Sequence, residues 1–179
     1  MEQNKKNEGA RIVQMVANQL ADRSAKNPTQ PSRGVFIEIG REAPVPITTL
    51  MLYMVKMRAV DERQPTAFFS PELSNVEVVN RLISIITGID EQRINEGNLS
   101  DDDWHLVDER VPLLMKAPLY IDDTEKPTVG DLTDKIIRLH RDNGVTLVVI
   151  DRFECVAYAE ANIKKLAEQL GIVIMAVKE

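Results

Sequence analysis

Thr146-Leu147-Val148-Val149-Ile150, closed by Asp151, is the stretch that decides the architecture. It is an apolar run with no in-and-out alternation, as expected of a central strand in a parallel sheet buried on both faces. Working outward, short apolar runs alternate with helical patterns from Gly34 onward. The patterns predict strands near 35–39, 66–70, 118–121, 145–150 and 172–177, and helices near 47–61, 74–87, 101–115, 129–142 and 156–170. Such alternation predicts an α/β fold: a mainly parallel sheet of about five strands with helices on both faces. Local signals agree. Ser74 with Glu77 three positions on is a capping box, and Ser100 precedes three aspartates that would meet the positive end of a helix. Gly88, Gly144 and Gly171 stand where helices end and a left-handed residue is needed. Upstream, Ile12, Val13, Val16, Leu20 and Ala21 recur at helical spacing, predicting an amphipathic helix over 9–23. A linker from Asn27 to Arg33 follows, with Pro28 and Pro31, so the chain divides into 1–33 and a core over 34–179.

The composition narrows the function classes. The chain has 179 residues, 44% apolar and 28% charged, enough to bury roughly 70% of its unfolded surface in one domain. A net charge of −6 argues against a dedicated nucleic-acid surface, which needs clustered Lys and Arg. One cysteine, Cys155, excludes an internal disulfide, and two distant histidines, His105 and His140, argue against a zinc site. The first residues lack the apolar centre of a signal peptide, and no run approaches ~18 apolar residues, so the expectation is a cytoplasmic chain without membrane contact.

Between the strand Val35-Phe36-Ile37-Glu38-Ile39 and the helix that follows lies a turn reading G-R-E-A-P-V-P-I from Gly40 to Ile47. A strand–turn–helix of this kind is where P-loop NTPases carry G-x-x-x-x-G-K-[ST]. Here Val45 replaces the second glycine, Pro46 the lysine and Ile47 the magnesium-binding hydroxyl. A phosphate loop works through consecutive backbone N–H groups, a lysine charge and a helix start. Pro44 and Pro46 lack N–H groups, and Glu42 adds negative charge. The turn is therefore not expected to hold a triphosphate in the usual way. Gly40 and Arg41, with Thr48 at the helix start, are the candidate residues for a residual anion site, and a register shifted by one puts Thr48 where the magnesium-binding hydroxyl belongs.

Further along, Phe69-Ser70-Pro71-Glu72-Leu73-Ser74, Arg81-Leu82-Ile83-Ser84, Thr87-Gly88-Ile89-Asp90 and Gly97-Asn98-Leu99-Ser100-Asp101-Asp102-Asp103-Trp104 follow in order. Ala117-Pro118-Leu119-Tyr120-Ile121-Asp122-Asp123-Thr124 and Val148-Val149-Ile150-Asp151 complete the series. Together these resemble the RecA-like C-terminal domain of DnaB-type replicative DNA helicases, over roughly Gly34 to Val177. The resemblance implies an ATP-driven ring helicase with ATP sites between subunits. It implies that Glu72 is the catalytic glutamate that orients water and that Asp151 is the Walker B aspartate that holds magnesium through water. A carboxylate at the C-terminal tip of a parallel strand is well placed for either task.

Departures from that pattern shape the functional expectation. The loop lysine and threonine are missing, and Glu154 stands where the family usually has glutamine. The chain ends at Glu179, before the segments that would supply DNA-contacting loops and the basic residues of a composite ATP site. The first expectation is thus a helicase-related domain in DNA replication that does not hydrolyse ATP, with Glu72 and Asp151 as relics. It would act without cofactor as a binding or assembly module that pairs with itself or a helicase or other replication protein. The alternative is an active ATP-dependent helicase with an unconventional loop, using Arg41, ATP and magnesium. A third reading is a module that binds protein through an exposed sheet edge. Direct DNA binding is not expected: Lys135, Arg138, His140 and Arg141 read as a solvated helix face with no interleaved aromatics. Trp104 is expected to pack as a helix anchor, and Met51, Met54 and Met57 as a core stripe.

Overall fold

The structure of the protein, a computed structural model, describes residues 34–39, 46–153 and 160–177. The predicted helix 9–23 and its linker, Gly40, Arg41, Glu154 and Cys155 lie outside the described residues. In chain order the elements are β1 (Val35–Ile39), α1 (Ile47–Val55) continued by a π-helical turn (Lys56–Asp61), β2 (Thr66–Phe69), α2 (Asn75–Thr87), α3 (Glu91–Glu96) and α4 (Asp101–Met115). They continue with β3 (Leu119–Asp122), α5 (Val129–Asn143), β4 (Leu147–Ile150), α6 (Glu160–Leu170) and β5 (Val173–Val177).

The five strands form one sheet in the order β1-β5-β4-β2-β3, and every pairing is parallel. The apolar run Leu147–Ile150 is the middle strand, β4, buried at all four positions. Its side chains go to opposite faces of the pleat. Val148 and Ile150 join Ala67, Phe69, Ile174, Leu132, Ile136 and Ile163 in the core beneath α5 and α6. Leu147 and Val149 join Phe68, Met175, Met51, Leu52, Met54 and Leu82 in the core beneath α1 and α2. Two apolar faces explain why the strand sequence shows no alternation.

Met51 and Met54 are fully buried and Met57 packs at the margin of the same core, so the expected stripe is present. Capping boxes begin α2 at Ser74 and α4 at Ser100, and a third, not anticipated, begins α5 at Thr128. Gly88, Gly144 and Gly171 have φ of +81°, +68° and +68°, the left-handed state expected of them. The sequence reading missed α3, a short helix capped by Asp90, which accepts from the Gln92 and Arg93 amides, and ended by Gly97. One expectation fails: Trp104 does not anchor α4 but stands 52% exposed on its outer face. The basic face of α5 is part neutralised, as Lys135 Nζ lies 2.5 Å from Asp122 and Arg141 pairs with Asp142. Among the described residues no helix is long and apolar enough to cross a membrane.

Candidate active site

Parallel strands present all their C-terminal ends on one side of a sheet, and here β2, β3 and β4 end level with one another: Phe69 pairs with both Asp122 and Ile150. The ladder carries one step past the strands, with the Ser70 amide donating to Asp122 O at 2.8 Å and the Asp151 amide to Phe69 O at 2.9 Å. That step sets Asp151 at the rim. Ser70 is wholly buried and its Oγ accepts from the Leu73 amide at 3.3 Å, closing the turn that carries Glu72. Asp123, beyond β3, accepts from the Asn75 amide at 2.9 Å and ties the start of α2 to the same rim.

The head of α1 faces Asp151. Pro46 is its N-cap residue, in an extended conformation (φ −53°, ψ 124°) and without a side-chain cap. Thr48, in the first turn, sends its Oγ1 to 3.1 Å from each carboxylate oxygen of Asp151. Asp151 is only 2% exposed. Burial raises its pKa above the ordinary carboxylate value, as does the nearby Glu72 charge, while the Thr48 hydrogen bond and the charges of Arg152 and Arg81 oppose the rise. The structure thus brings Thr48 and Asp151 into contact. Gly40 and Arg41, the other two candidates at this loop, fall outside the described residues.

Glu72 is half-exposed and reaches across the rim to Arg152, whose Nε stands 3.2 Å from its Oε2. Arg152 was missed in the sequence. The available signal was a basic residue directly after the acid that closes β4. Its backbone is left-handed, φ +57°, a conformation few non-glycine residues adopt. Arg81, on α2, adds positive potential at Asp151 while pairing through Nε with Glu91 at 3.0 Å.

The oxygen donors of a hydrated magnesium ion, a hydroxyl and a carboxylate, are therefore side by side. The groups a triphosphate requires are not among the described residues. Pro46 stands where an ammonium group would approach, and the two guanidinium groups near Asp151 already face carboxylates. No group of three or more His, Cys, Asp or Glu side chains converges as a metal cage among the described residues.

The family model "DnaB-like helicase C terminal domain" matches residues 33–179. The replicative DNA helicase DnaB of Mycobacterium leprae is 30% identical over 149 residues, covering 76% of this chain and 25% of that protein. A probable replicative DNA helicase of Guillardia theta is 31% identical over 122 residues, covering 68% of this chain and 20% of its own. The chain thus spans a quarter or less of the length of these two relatives. Among solved structures, the ATPase domain of G40P superposes with a TM-score of 0.73 at 20% identity, covering 92% of this chain and 69% of that one. A DnaB-like replicative helicase, described with its interactions with primase, gives 0.72 at 21%, covering 82% and 39%. Their identities are low, and what they share with this chain is the RecA-like fold. By its sequence match over nearly all of the described core, this chain belongs to the family of DnaB-like helicase C-terminal domains.

Proposed function

We propose that this chain serves DNA replication as a binding or assembly module of the DnaB-like type and does not turn over ATP. The observation that carries this reading is the charge inventory of the crevice. Catalysis of phosphoryl transfer is mostly positioning and stabilisation of charge on the transferring group. Here the position for the gripping lysine is Pro46, and Arg152 and Arg81 face Glu72 and Glu91. Glu72, the residue that would orient water, is engaged by a cation instead. Its partner would be a second copy or a replicative helicase. The test is direct. Titration of magnesium and ATP followed by calorimetry is expected to give no saturable heat up to about 1 mM, a ceiling near −4 kcal/mol of affinity. Phosphate release is expected to stay at background with and without single-stranded DNA. Micromolar binding or DNA-stimulated release would overturn the reading.

One observation favours a second reading. Thr48 Oγ1 lies 3.1 Å from both Asp151 oxygens, the pairing that an active site with a loop register shifted by one would need. In that case Thr48→Ala and Asp151→Asn would each abolish measurable phosphate release.

A further inference from the structure

Three charges crowd the rim at the ends of β2 and β4. Asp151 is nearly inaccessible, Glu72 is half-exposed, and Arg152, less exposed than Glu72, sets its Nε 3.2 Å from Glu72 Oε2. Two carboxylates drawn to one crevice repel unless a cation stands with them, and a buried one is costly without a partner. The field of Arg152 also reaches Asp151. The guanidinium is carried on a left-handed backbone at a non-glycine residue, φ +57°, a state it shares with Arg63 and Lys126. Strain of this sort persists where the surroundings over-determine it, and it clusters at sites.

We propose that Arg152 is a built-in counter-ion that occupies the electrostatic place of a divalent cation between Glu72 and Asp151 and so makes the site independent of metal. This deepens the non-hydrolytic reading and rests on it. A guanidinium fixed by the chain balances carboxylate charge without a bound nucleotide to anchor the metal. It also excludes a second cation by like-charge repulsion, at a contact distance where an opposite charge would attract.

Removing the charge should therefore restore a demand for metal. Arg152→Asn is the informative variant, because asparagine tolerates the left-handed region and adds no new strain. Thermal melting of the full chain is followed in magnesium chloride and in sodium chloride of matched ionic strength. Wild type and Arg152→Lys, which keeps the charge, are expected to melt at the same temperature in both salts. Arg152→Asn is expected to melt roughly 3–6 °C higher in about 10 mM magnesium, as a newly opened millimolar site would require. The double variant Glu72→Gln with Arg152→Asn is expected to lose that rise. An unmoved Arg152→Asn, or a wild type that responds equally, overturns the proposal. Should Arg152→Asn fail to fold without metal, refolding it with manganese decides the question: recovery supports the counter-ion role and failure overturns it. ATP turnover by wild type would sink the functional reading instead, a result distinct from any outcome of the metal-only melts.

Discussion

Asp151 shows how a single side chain can be held in place at a cost to folding. Its pKa is raised chiefly by burial, with the Thr48 hydroxyl and Arg152 pulling the other way. A carboxylate whose folded pKa exceeds its unfolded value binds its proton more tightly when folded. The native state is then favoured in acid, and that advantage is lost as pH rises through the folded value. At neutral pH the ionised group accordingly works against folding. Asp151→Asn removes the charge while leaving an oxygen to accept from Thr48. It is expected to raise the melting temperature at pH 7, with the gain over wild type vanishing as pH falls below the unfolded value near 3.8, seen by calorimetry across pH. Thr48→Val keeps the shape and removes the donor, leaving a buried carboxylate short of a hydrogen bond, and is expected to cost about 1–3 kcal/mol. Because both changes act on one contact, their effects should not add. A lower melting temperature for Asp151→Asn would overturn the raised pKa, and strict additivity would show that the contact carries no coupling.

At the scale of elements, β1 and α6 meet at a point with no room for a side chain. An ideal Cβ on Gly34 would fall 1.5 Å from the carbonyl oxygen of Ala167 in α6, where no real Cβ fits. Gly34→Ala therefore requires α6 to move off the edge strand, and urea unfolding is expected to report a loss of about 1–3 kcal/mol or more. A neutral result would mean that α6 is not docked there. How much of this was legible in the sequence differs by element. The central strand was readable because a continuous apolar run such as Leu147–Ile150 follows from burial on both faces, while the edge strands β1 and β3 are only partly buried. The box at Ser74 was readable because capping is a matter of residues three apart, and the start of α4 at Ser100 because three aspartates follow it. The helix α3 was not, although Asp90 and Gly97 bracket it, because six residues with no buried side chain leave no apolar period to detect. Trp104 failed for the opposite reason: its size suggested burial, but α4 turns that face outward, which only tertiary packing decides. At the site, Asp151 and Glu72 were readable as strand-end carboxylates. Arg152 was not, since its role arises from a left-handed turn and a partner 80 residues away in the chain, Glu72.

At the scale of the whole molecule, the balance of carboxylates sets the response to acid. Glu77, Asp103 and Asp131 are lowered first by the hydroxyls of the capping residues Ser74, Ser100 and Thr128 and then by the same residues' backbone N–H groups. Asp142 is lowered by its pairing with Arg141. Asp122 is a more mixed case, in which burial pushes upward but Lys135 and Thr124 together outweigh it and leave the value low. For all five, a folded pKa below the unfolded one means stability that is present above the unfolded value and lost as pH falls through the folded value. Among the acids of the described residues that depart from their ordinary values, Asp151 runs the other way, so its relief in acid is outnumbered. The melting temperature is expected to be flat above about pH 5 and to fall steadily between about pH 4.5 and pH 2 as these carboxylates are protonated. Asp122→Asn should make that fall shallower, since the Lys135 pairing it removes is already absent at neutral pH. Lys135→Met tests the same pairing from the other side. It should lower the melting temperature at pH 7, and the difference from wild type should close as pH falls through the lowered folded value of Asp122. An acid limb of equal depth in wild type and both variants would assign the loss to the other four acids, Glu77, Asp103, Asp131 and Asp142, and remove Asp122 from the account.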